Sequence, residues 1–410
     1  MNNSAYLVVI GVAFVVSFAC MPLLRRVAFR VGVVDRPDAL RVHTRPTALL
    51  GGAGILAGFL AGMIVAWRMD AFADVFLTIT PPLGVCLGAI AIYIVGQLDD
   101  ILDVSPPAKL AGMVLAGSIL TIAGVTILFF RVPFLGLYSL SGDLAAFVTV
   151  LWVVGLANAI NFIDGLDGLS AGIVAIASGS FLLYSLQLQD ENIIDSGNVG
   201  PLIAACVLGT CLGYLPWNVH PAKIFMGDAG ALQLGLLMAA ATIAVGGNTP
   251  GDVEFSGQAY FFFAPLFLPL VILGVPILDT AWAILRRTST RSGVSMRDKG
   301  HLHHRLMRLG HGQRRSVLIL WTWTALLSAL VLYPTYTRRG DLLVPIGIAG
   351  LALALVVYTL FAPGVRSRRD EADATDDTTD DDDHDRPAPR LPIAPRHQTG
   401  DPAPWSSRST

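Results

Sequence analysis

Apolar runs of about 20 residues recur along this chain, and they limit its fold more than any other feature. A helix of that length matches the thickness of a bilayer's hydrocarbon core. Only helices and closed barrels cross a bilayer, because the lipid offers no hydrogen bonds to the backbone, and barrel strands are about half as long. Only 14% of the residues are charged, whereas a soluble domain carries about a quarter. The sequence therefore predicts an all-α polytopic membrane protein.

The runs predict a bundle of about eleven transmembrane helices, which form one domain over residues 1–362. The predicted spans cover residues 5–24, 48–67, 76–95, 109–130, 143–160, 169–188, 201–215, 229–245, 262–285, 316–334 and 342–362. Residues 363–410 form a separate tail with ten acidic residues between Asp370 and Asp385. Since this tail has almost no apolar content, we expect it to be disordered.

The lysines and arginines between the spans fall mainly on one side of the predicted membrane. Loops that follow odd-numbered spans hold 17 cations, and loops on the opposite side hold four. Cytoplasmic loops are the ones enriched in lysine and arginine. The sequence therefore predicts a multi-pass protein of the plasma membrane, with its N-terminus outside and its C-terminus and tail in the cytoplasm. The cations thus serve membrane orientation, and we expect no nucleic-acid partner.

The most unusual polar stretch covers residues 158–169, between two apolar runs. It holds the amides Asn158 and Asn161, the carboxylates Asp164 and Asp167, and two glycines. Glycines allow a ligand to approach the backbone closely. Carboxylates accept hydrogen bonds from ribose or base donors, or bind a hard cation. A turn that only reverses the chain needs none of these groups, so we expect the stretch to bind a ligand.

A second acidic group lies at the end of the third span. Asp99, Asp100 and Asp103 lie within five residues, and Lys109 follows. Carboxylates this close repel one another unless a cation or a proton lies among them. Magnesium is often bound by a few carboxylates together with substrate phosphates. The alternative is a solvated acidic loop, but charges at the edge of a membrane favour a functional role.

Three further stretches on the same side combine basic side chains with glycines or aromatic groups. They are residues 36–47 before Gly51 and Gly52, residues 216–230 with Asn218, Lys223, Phe225 and Asp228, and residues 297–306 with His301, His303 and His304. The histidines lack zinc-ligand spacing, so they indicate a loop that contacts phosphate or sugar, or else a surface loop that titrates. Carboxylates for magnesium and cations for phosphate together favour phosphoryl transfer at the cytoplasmic face.

Four motifs in order make the chain resemble a known family. Asp99-Asp100, residues 158–168, residues 225–230 and residues 301–304 resemble the polyprenyl-phosphate N-acetylhexosamine-1-phosphate transferases, the MraY/WecA group. The resemblance extends from about residue 20 to residue 335 and implies ten or eleven transmembrane helices. It implies transfer of a sugar 1-phosphate from a UDP-sugar to a polyprenyl phosphate, release of UMP, and use of Mg²⁺ or Mn²⁺.

The resemblance also implies roles for individual residues. Asp228 would be a metal ligand, and Asp99 and Asp100 would lie at the lipid-phosphate and metal site, with Asp99 a candidate base. Where the family commonly has a lysine after the paired aspartates this chain has Asp103, and the nearest cation is Lys109. The remaining residues would bind substrate: Asn161, Asp164 and Asp167 on the nucleotide-sugar, Asn218 and Phe225 near uracil, His301, His303 and His304 near the diphosphate and sugar, with Lys109, Asn158 and Lys223 as further substrate-binding residues.

The histidine loop favours one branch of the family. Its His-Leu-His-His form resembles the branch that uses UDP-N-acetylglucosamine, whereas the muramoyl-pentapeptide branch has three consecutive histidines. A phospho-N-acetylmuramoyl-pentapeptide transferase is therefore the alternative enzyme. An ion-coupled transporter would carry its acids near mid-span, as only Asp279 does here, and an aspartate-rich prenyltransferase would leave the histidine loop unexplained. The sequence leaves open both homodimerisation and the choice between single displacement and an aspartyl-phosphate intermediate.

Overall fold

The computed structural model describes residues 3–36, 46–132, 136–246 and 312–337, together with positions 347, 350 and 351. This part of the chain is mostly helical. Its α-helices are α1 (Asn3–Val31), α2 (Gly51–Trp67), α3 (Ala73–Leu77), α4 (Thr80–Leu102), α5 (Pro106–Ile122), α6 (Gly142–Ile163), α7 (Leu169–Asp190), α8 (Gly200–Asn218), α9 (Gly227–Gly246) and α10 (Gln313–Thr337), and a 3₁₀ turn covers Asp70–Phe72.

Within these residues, seven helices are long and apolar enough to cross a membrane: α1, α4, α6, α7, α8, α9 and α10. An eighth span results if α2 is counted with the segment Asp70–Leu77, from which it is bent by 95°. α5 is apolar but shorter. Large apolar side chains such as Leu7 on α1 and Ile94 on α4 are exposed, as expected of surfaces that contact lipid. The prediction of an all-α polytopic membrane protein is therefore confirmed in outline.

Nine of the predicted spans fall on described residues, and each overlaps a helix. The predicted spans 262–285 and 342–362 lie outside the described residues apart from positions 347, 350 and 351, so the count of eleven stays a prediction. The acidic tail, including the domain boundary at residue 363, also lies outside them. The predicted orientation in the membrane stays a prediction as well.

The prediction of one span over residues 109–130 was wrong at its C-terminal end. α5 ends at Ile122, and Gly124 then takes a left-handed backbone conformation with a φ of +87°. The apolar residues that follow form β3 (Phe129–Val132), which pairs antiparallel with β4 (Gly136–Ser139). A short apolar run fits a strand as well as a helix by hydropathy alone, so the sequence did not reveal this hairpin.

α9 is the central helix of the described bundle. It packs against α2, α4, α6 and α8, and every residue from 229 to 245 is buried. Glycines on the neighbouring helices allow this packing: a Cβ on Gly96 of α4 would lie 2.5 Å from the Ala229 Cα, and one on Gly52 of α2 would lie 2.6 Å from the Gly230 N. Small residues that bring helix backbones together are typical of membrane bundles.

One end of the bundle gathers the chain segments that carry the predicted site. The C-terminal ends of α4, α6 and α8 meet the N-terminal ends of α5, α7 and α9 there, as the contacts below show. A short pairing adds α2 to this end: β1 (Val34–Asp35) pairs with β2 (Thr47–Ala48), and Ala48 forms a bridge with Ile224. The Gly51 N–H then donates to the Phe225 carbonyl at 2.8 Å, which ties the start of α2 to the segment before α9.

Candidate active site at one end of the bundle

The side chain of Asp228, the second residue of α9, contacts two other helices. Its Oδ1 accepts a hydrogen bond from Asn161 Nδ2 on α6 at 2.8 Å. Its Oδ2 forms an ion pair with Lys109 Nζ on α5. The carboxylate also lies at the positive end of the α9 macrodipole, where a negative charge is stabilised. Its side chain is 30% exposed, so a ligand can reach it.

Lys109 links Asp228 to α4. Its Nζ donates to Asp99 Oδ2 at 2.9 Å while it also contacts Asp228. The other oxygen of Asp99 accepts from the Val104 N–H at 3.0 Å. One ammonium group therefore bridges two carboxylates that lie 129 residues apart in the chain, and these carboxylates converge on a single cationic centre.

Asp100 caps the start of α9. Its two oxygens accept hydrogen bonds from the backbone N–H groups of Asp228, at 2.9 Å, and Ala229, at 3.2 Å. Gly227 makes room for this cap with a φ of +66°, and a Cβ at that position would overlap the Asp100 carboxylate. Both oxygens of Asp100 are thus occupied by the helix end in this structure. Its predicted role as a metal ligand stays a prediction.

Asp164 follows the last residue of α6 and turns towards α7. Its Oδ1 accepts a hydrogen bond from the Ser170 hydroxyl at 2.5 Å. Desolvation raises the pKa of the Asp164 carboxyl from 3.8 to about 7; Ser170 partly offsets this rise, whereas the nearby charges of Asp100 and Asp167 add to it. Asp164 therefore changes charge near neutral pH and lies close enough to Asp100 to interact with it electrostatically.

Asp167 points towards the loop between α8 and α9. Its Oδ2 lies 2.7 Å from His220 Nδ1 and accepts a hydrogen bond from the Ala222 N–H at 3.0 Å. Asn218 makes a second connection: its Oδ1 accepts from the Gly168 N–H at 2.9 Å, and its Nδ2 donates to the Ile224 carbonyl at 3.1 Å. The predicted ligand-binding turn is therefore fastened to the α8–α9 loop at two points.

The other predicted residues of that loop lie beside these contacts. Lys223 is exposed, with its Nζ 5.3 Å from the centre of the Trp217 ring. The Phe225 N–H donates to the Ala48 carbonyl at 2.8 Å. The side chains of Asn218 and Trp217 thus support the loop in this structure. The predicted place of Asn218 and Phe225 near uracil, and the predicted contact of Lys223 with substrate, stay predictions.

Unlike Asn161 on the same helix, Asn158 makes its contacts away from the carboxylates. Its Nδ2 donates to the Val154 carbonyl of its own helix at 2.8 Å and approaches the Met113 sulfur at 3.4 Å. It lies almost one turn before Asn161, further from the helix end. The predicted histidines His301, His303 and His304 lie outside the described residues.

Two residues of this end were missed by sequence reasoning, namely Ser170 and His220. Ser170 is a buried hydroxyl at the start of α7, and His220 lies within the stretch 216–230 but was given no predicted role. The sequence gives only a weak signal for either residue, because each one makes a hydrogen bond to an aspartate and belongs to no recognisable motif. The signal for His220 was its place between Asn218 and Lys223, two residues that were predicted to bind substrate.

The chain is similar to known proteins over most of its length. Residues 82–246 match the family described as "Glycosyl transferase family 4". The chain is 34% identical over 325 residues to the "Decaprenyl-phosphate N-acetylglucosaminephosphotransferase" of Mycobacterium tuberculosis, with 78% of this chain and 80% of that protein covered. It is 35% identical over 316 residues to the "Probable undecaprenyl-phosphate N-acetylglucosaminyl 1-phosphate transferase" of Bacillus subtilis, with 76% and 81% covered.

A second group of relatives carries a different name. The "Phospho-N-acetylmuramoyl-pentapeptide-transferase" of Desulforudis audaxviator is 32% identical over 349 residues, with 79% of this chain and 96% of that protein covered. The protein of the same name from Bacillus licheniformis is 28% identical over 327 residues, with 76% and 91% covered. The chain is therefore similar to both groups over most of its length.

Proposed function

The chain belongs to the polyprenyl-phosphate N-acetylhexosamine-1-phosphate transferase family, and from this membership we propose that it transfers N-acetylglucosamine 1-phosphate from UDP-N-acetylglucosamine to a polyprenyl phosphate and releases UMP. The observation that carries the proposal is the convergence of Asp99, Lys109, Asn161 and Asp228 at one end of an apolar bundle. Such a site serves one substrate held in the membrane and one dissolved in water. We place this end at the cytoplasmic face, as the distribution of cations predicts.

The residues at this end fit a divalent metal ion. Among the described residues, no group of three or more histidine, cysteine, aspartate or glutamate side chains is arranged to hold one. However, Asp99 and Asp228 already converge on one cation, the ammonium of Lys109. Magnesium is commonly held by one or two carboxylates, with substrate phosphates and water completing its shell. We propose that Asp228 and Asp99 hold Mg²⁺ or Mn²⁺, which would neutralise the diphosphate of the donor.

The protein side chains prepare the donor for displacement. Lys109 is the cation nearest to the converging carboxylates, so it is the residue placed to contact phosphate oxygens when the diphosphate arrives. Asn161 fixes one oxygen of Asp228 and thereby its rotation. Asp100 holds two backbone N–H groups of α9 and thus keeps the position of Asp228 constant. Catalysis here is mainly positioning and charge neutralisation, as is usual for phosphoryl transfer.

We propose a single displacement as the reaction. An oxygen of the polyprenyl phosphate forms a bond to the β-phosphorus of the UDP-sugar, and the bond from that phosphorus to the bridging oxygen breaks, so that UMP leaves with its electron pair. The attacking phosphate is largely ionised near neutral pH, since its second pKa is about 6. The base role predicted for Asp99 is therefore small, and in this structure Asp99 holds Lys109.

The test is release of UMP from UDP-N-acetylglucosamine by the purified protein with undecaprenyl phosphate and magnesium. We expect Asp228→Asn to lower kcat at least about 100-fold, the effect of losing one electrostatic group from such a site. Asp143→Asn is the matched control, because Asp143 is exposed at the opposite end of α6. Wild-type protein that releases no UMP would refute the proposed function, and an unchanged rate in Asp228→Asn would refute the role of Asp228.

The donor distinguishes the two branches of the family. The transferases for N-acetylglucosamine reach 35% identity with this chain, and the pentapeptide transferases reach 32%. Competition between UDP-N-acetylglucosamine and UDP-N-acetylmuramoyl-pentapeptide in the same assay measures the preference directly, and we expect the smaller donor to be used. Incubation with labelled UDP-sugar in the absence of lipid distinguishes single displacement from a route through a covalent aspartyl-phosphate. Covalently labelled protein would exclude single displacement.

A further inference from the structure

His220 makes contacts that neither the motifs nor the proposed reaction explain. It lies in the loop between α8 and α9, and its Nδ1 is 2.7 Å from Asp167 Oδ2. The same oxygen accepts a hydrogen bond from the Ala222 N–H at 3.0 Å. Asp167 is 11% exposed and His220 39%, so the pair lies where the loop meets solvent and not within the core.

The main chain of His220 is held by α10: Arg314, in the first turn of that helix, donates from Nη2 to the His220 carbonyl at 3.1 Å. Two residues before His220, Asn218 accepts from the Gly168 N–H, next to Asp167. These contacts bring three separate segments together around one carboxylate: the turn after α6, the loop after α8 and the start of α10.

The two oxygens of Asp167 differ in their surroundings. Oδ2 is occupied by His220 and Ala222, whereas Oδ1 accepts no hydrogen bond from any residue that the structure describes. A carboxylate held by two donors on one oxygen cannot rotate freely, so the direction of its other oxygen is fixed. An ionised carboxylate oxygen accepts hydrogen bonds only, and its complement on a ligand is an N–H or O–H group.

We propose that His220 is a positioning residue for the nucleotide half of the donor. It donates its Nδ1–H to Asp167 and so holds Oδ1 in the direction from which it accepts a hydrogen bond from the base or ribose of the uridine nucleotide. This inference rests on the proposed function, which supplies the nucleotide. It assigns to His220 an effect on donor affinity, with little effect on the chemical step.

Three substitutions separate this role from simple support of the loop. His220→Asn places an amide N–H close to the position of Nδ1 and keeps the hydrogen bond to Asp167. His220→Gln places its N–H closer to the position of Nε2, and His220→Phe keeps the ring without any donor. We expect the variants His220→Phe and His220→Gln to raise the Kd of UMP and the KM of UDP-N-acetylglucosamine about tenfold, with kcat within about twofold of wild type. We expect His220→Asn to keep this Kd and this KM within about twofold of their wild-type values.

The binding of UMP is measured by calorimetry on the purified full-length protein in detergent, without lipid acceptor, so that no chemistry contributes. A double-mutant cycle with Asp167→Asn completes the test: in that background His220→Phe should weaken UMP binding no further, because the carboxylate it orients is gone. Thermal unfolding of each variant checks that the bundle is intact.

The outcomes are distinct. Wild-type UMP affinity in both His220→Phe and His220→Gln would overturn the inference. So would an equal loss of UMP affinity in His220→Asn and His220→Phe. A loss of affinity on His220→Phe that is as large in the Asp167→Asn background as in the wild type would overturn it too. A wild-type protein that neither binds UMP nor releases it from UDP-N-acetylglucosamine would instead refute the proposed function. Active wild-type enzyme with unaffected His220 variants refutes only the positioning role.

Discussion

The contact between Gly227 and Asp100 gives the sharpest test of how the site is built. Substitution Gly227→Ala adds a Cβ that overlaps the Asp100 carboxylate, at a residue whose φ is +66°. The carboxylate can turn away from the new methyl group. Doing so breaks its hydrogen bonds to the Asp228 and Ala229 N–H groups, so the start of α9 loses its cap.

The cost has two parts that can be separated. A left-handed conformation costs a residue with a Cβ about 1–2 kcal/mol. Each hydrogen bond to a charged acceptor contributes about 1.5–3 kcal/mol. Loss of even one of the two bonds therefore brings the expected destabilisation to about 2.5–5 kcal/mol. We also expect UMP release to fall, because Asp228 loses its fixed position.

Gly124→Ala is the matched control. Gly124 has a similar φ, +87°, but a Cβ there would meet no atom within 4 Å. It should therefore lose only the backbone part, about 1–2 kcal/mol, and keep its activity. The assay compares unfolding midpoints of both variants in the same detergent, together with UMP release. Equal losses in the two variants, with activity retained in both, would refute the reasoning, since the Asp100 cap would then contribute nothing.

Two further predictions concern charges at the same end of the bundle. Lys109→Met leaves Asp99 and Asp228 without their shared cation, so Mg²⁺ should stabilise the substrate-free protein against heat at about tenfold lower concentration than in wild type; no change would contradict this. Asp164→Asn should raise the unfolding midpoint at pH 8 but not at pH 4. The raised pKa of Asp164 means that its contribution to stability is complete below about pH 4 and is lost as pH rises through about 7, and Asn keeps an acceptor for Ser170. A midpoint difference that does not change with pH would contradict it.

The sequence predicted most of the helices that the structure describes, and it named several residues that the structure brings together at one end of the bundle; it revealed only part of the contacts that these residues make. Helix positions followed from runs of apolar residues, which are local. The convergence of Asp99, Asn161 and Asp228 followed from placing span ends on one side of the membrane. The sequence showed that Lys109 is the nearest cation after Asp99 and Asp100, but it did not predict that Lys109 pairs with two carboxylates.

The contacts that sequence reasoning could not supply are long-range and specific. The resemblance placed Asp100 at the metal site, which stays a prediction, but nothing in the sequence indicated that both of its oxygens accept hydrogen bonds from N–H groups 128 and 129 residues away. Asp167 looked like one half of a carboxylate pair with Asp164, yet the two side chains turn to different partners, His220 and Ser170. Such choices depend on which helix ends lie side by side, and a one-dimensional pattern does not contain that information.

The burial of α9 also bears on how the protein is assembled in the membrane. Its sequence is apolar enough to enter lipid, yet in the folded protein residues 229–245 are covered by other helices. Because the chain is synthesised from its N-terminus, α2, α4, α6 and α8 precede α9 into the bilayer. Insertion and packing of membrane helices are separable stages, and it is the packing of α9 that carries Asp228 between Lys109 and Asn161. The candidate site is therefore completed late, and a chain interrupted before α9 lacks Asp228 and the contacts that converge on it.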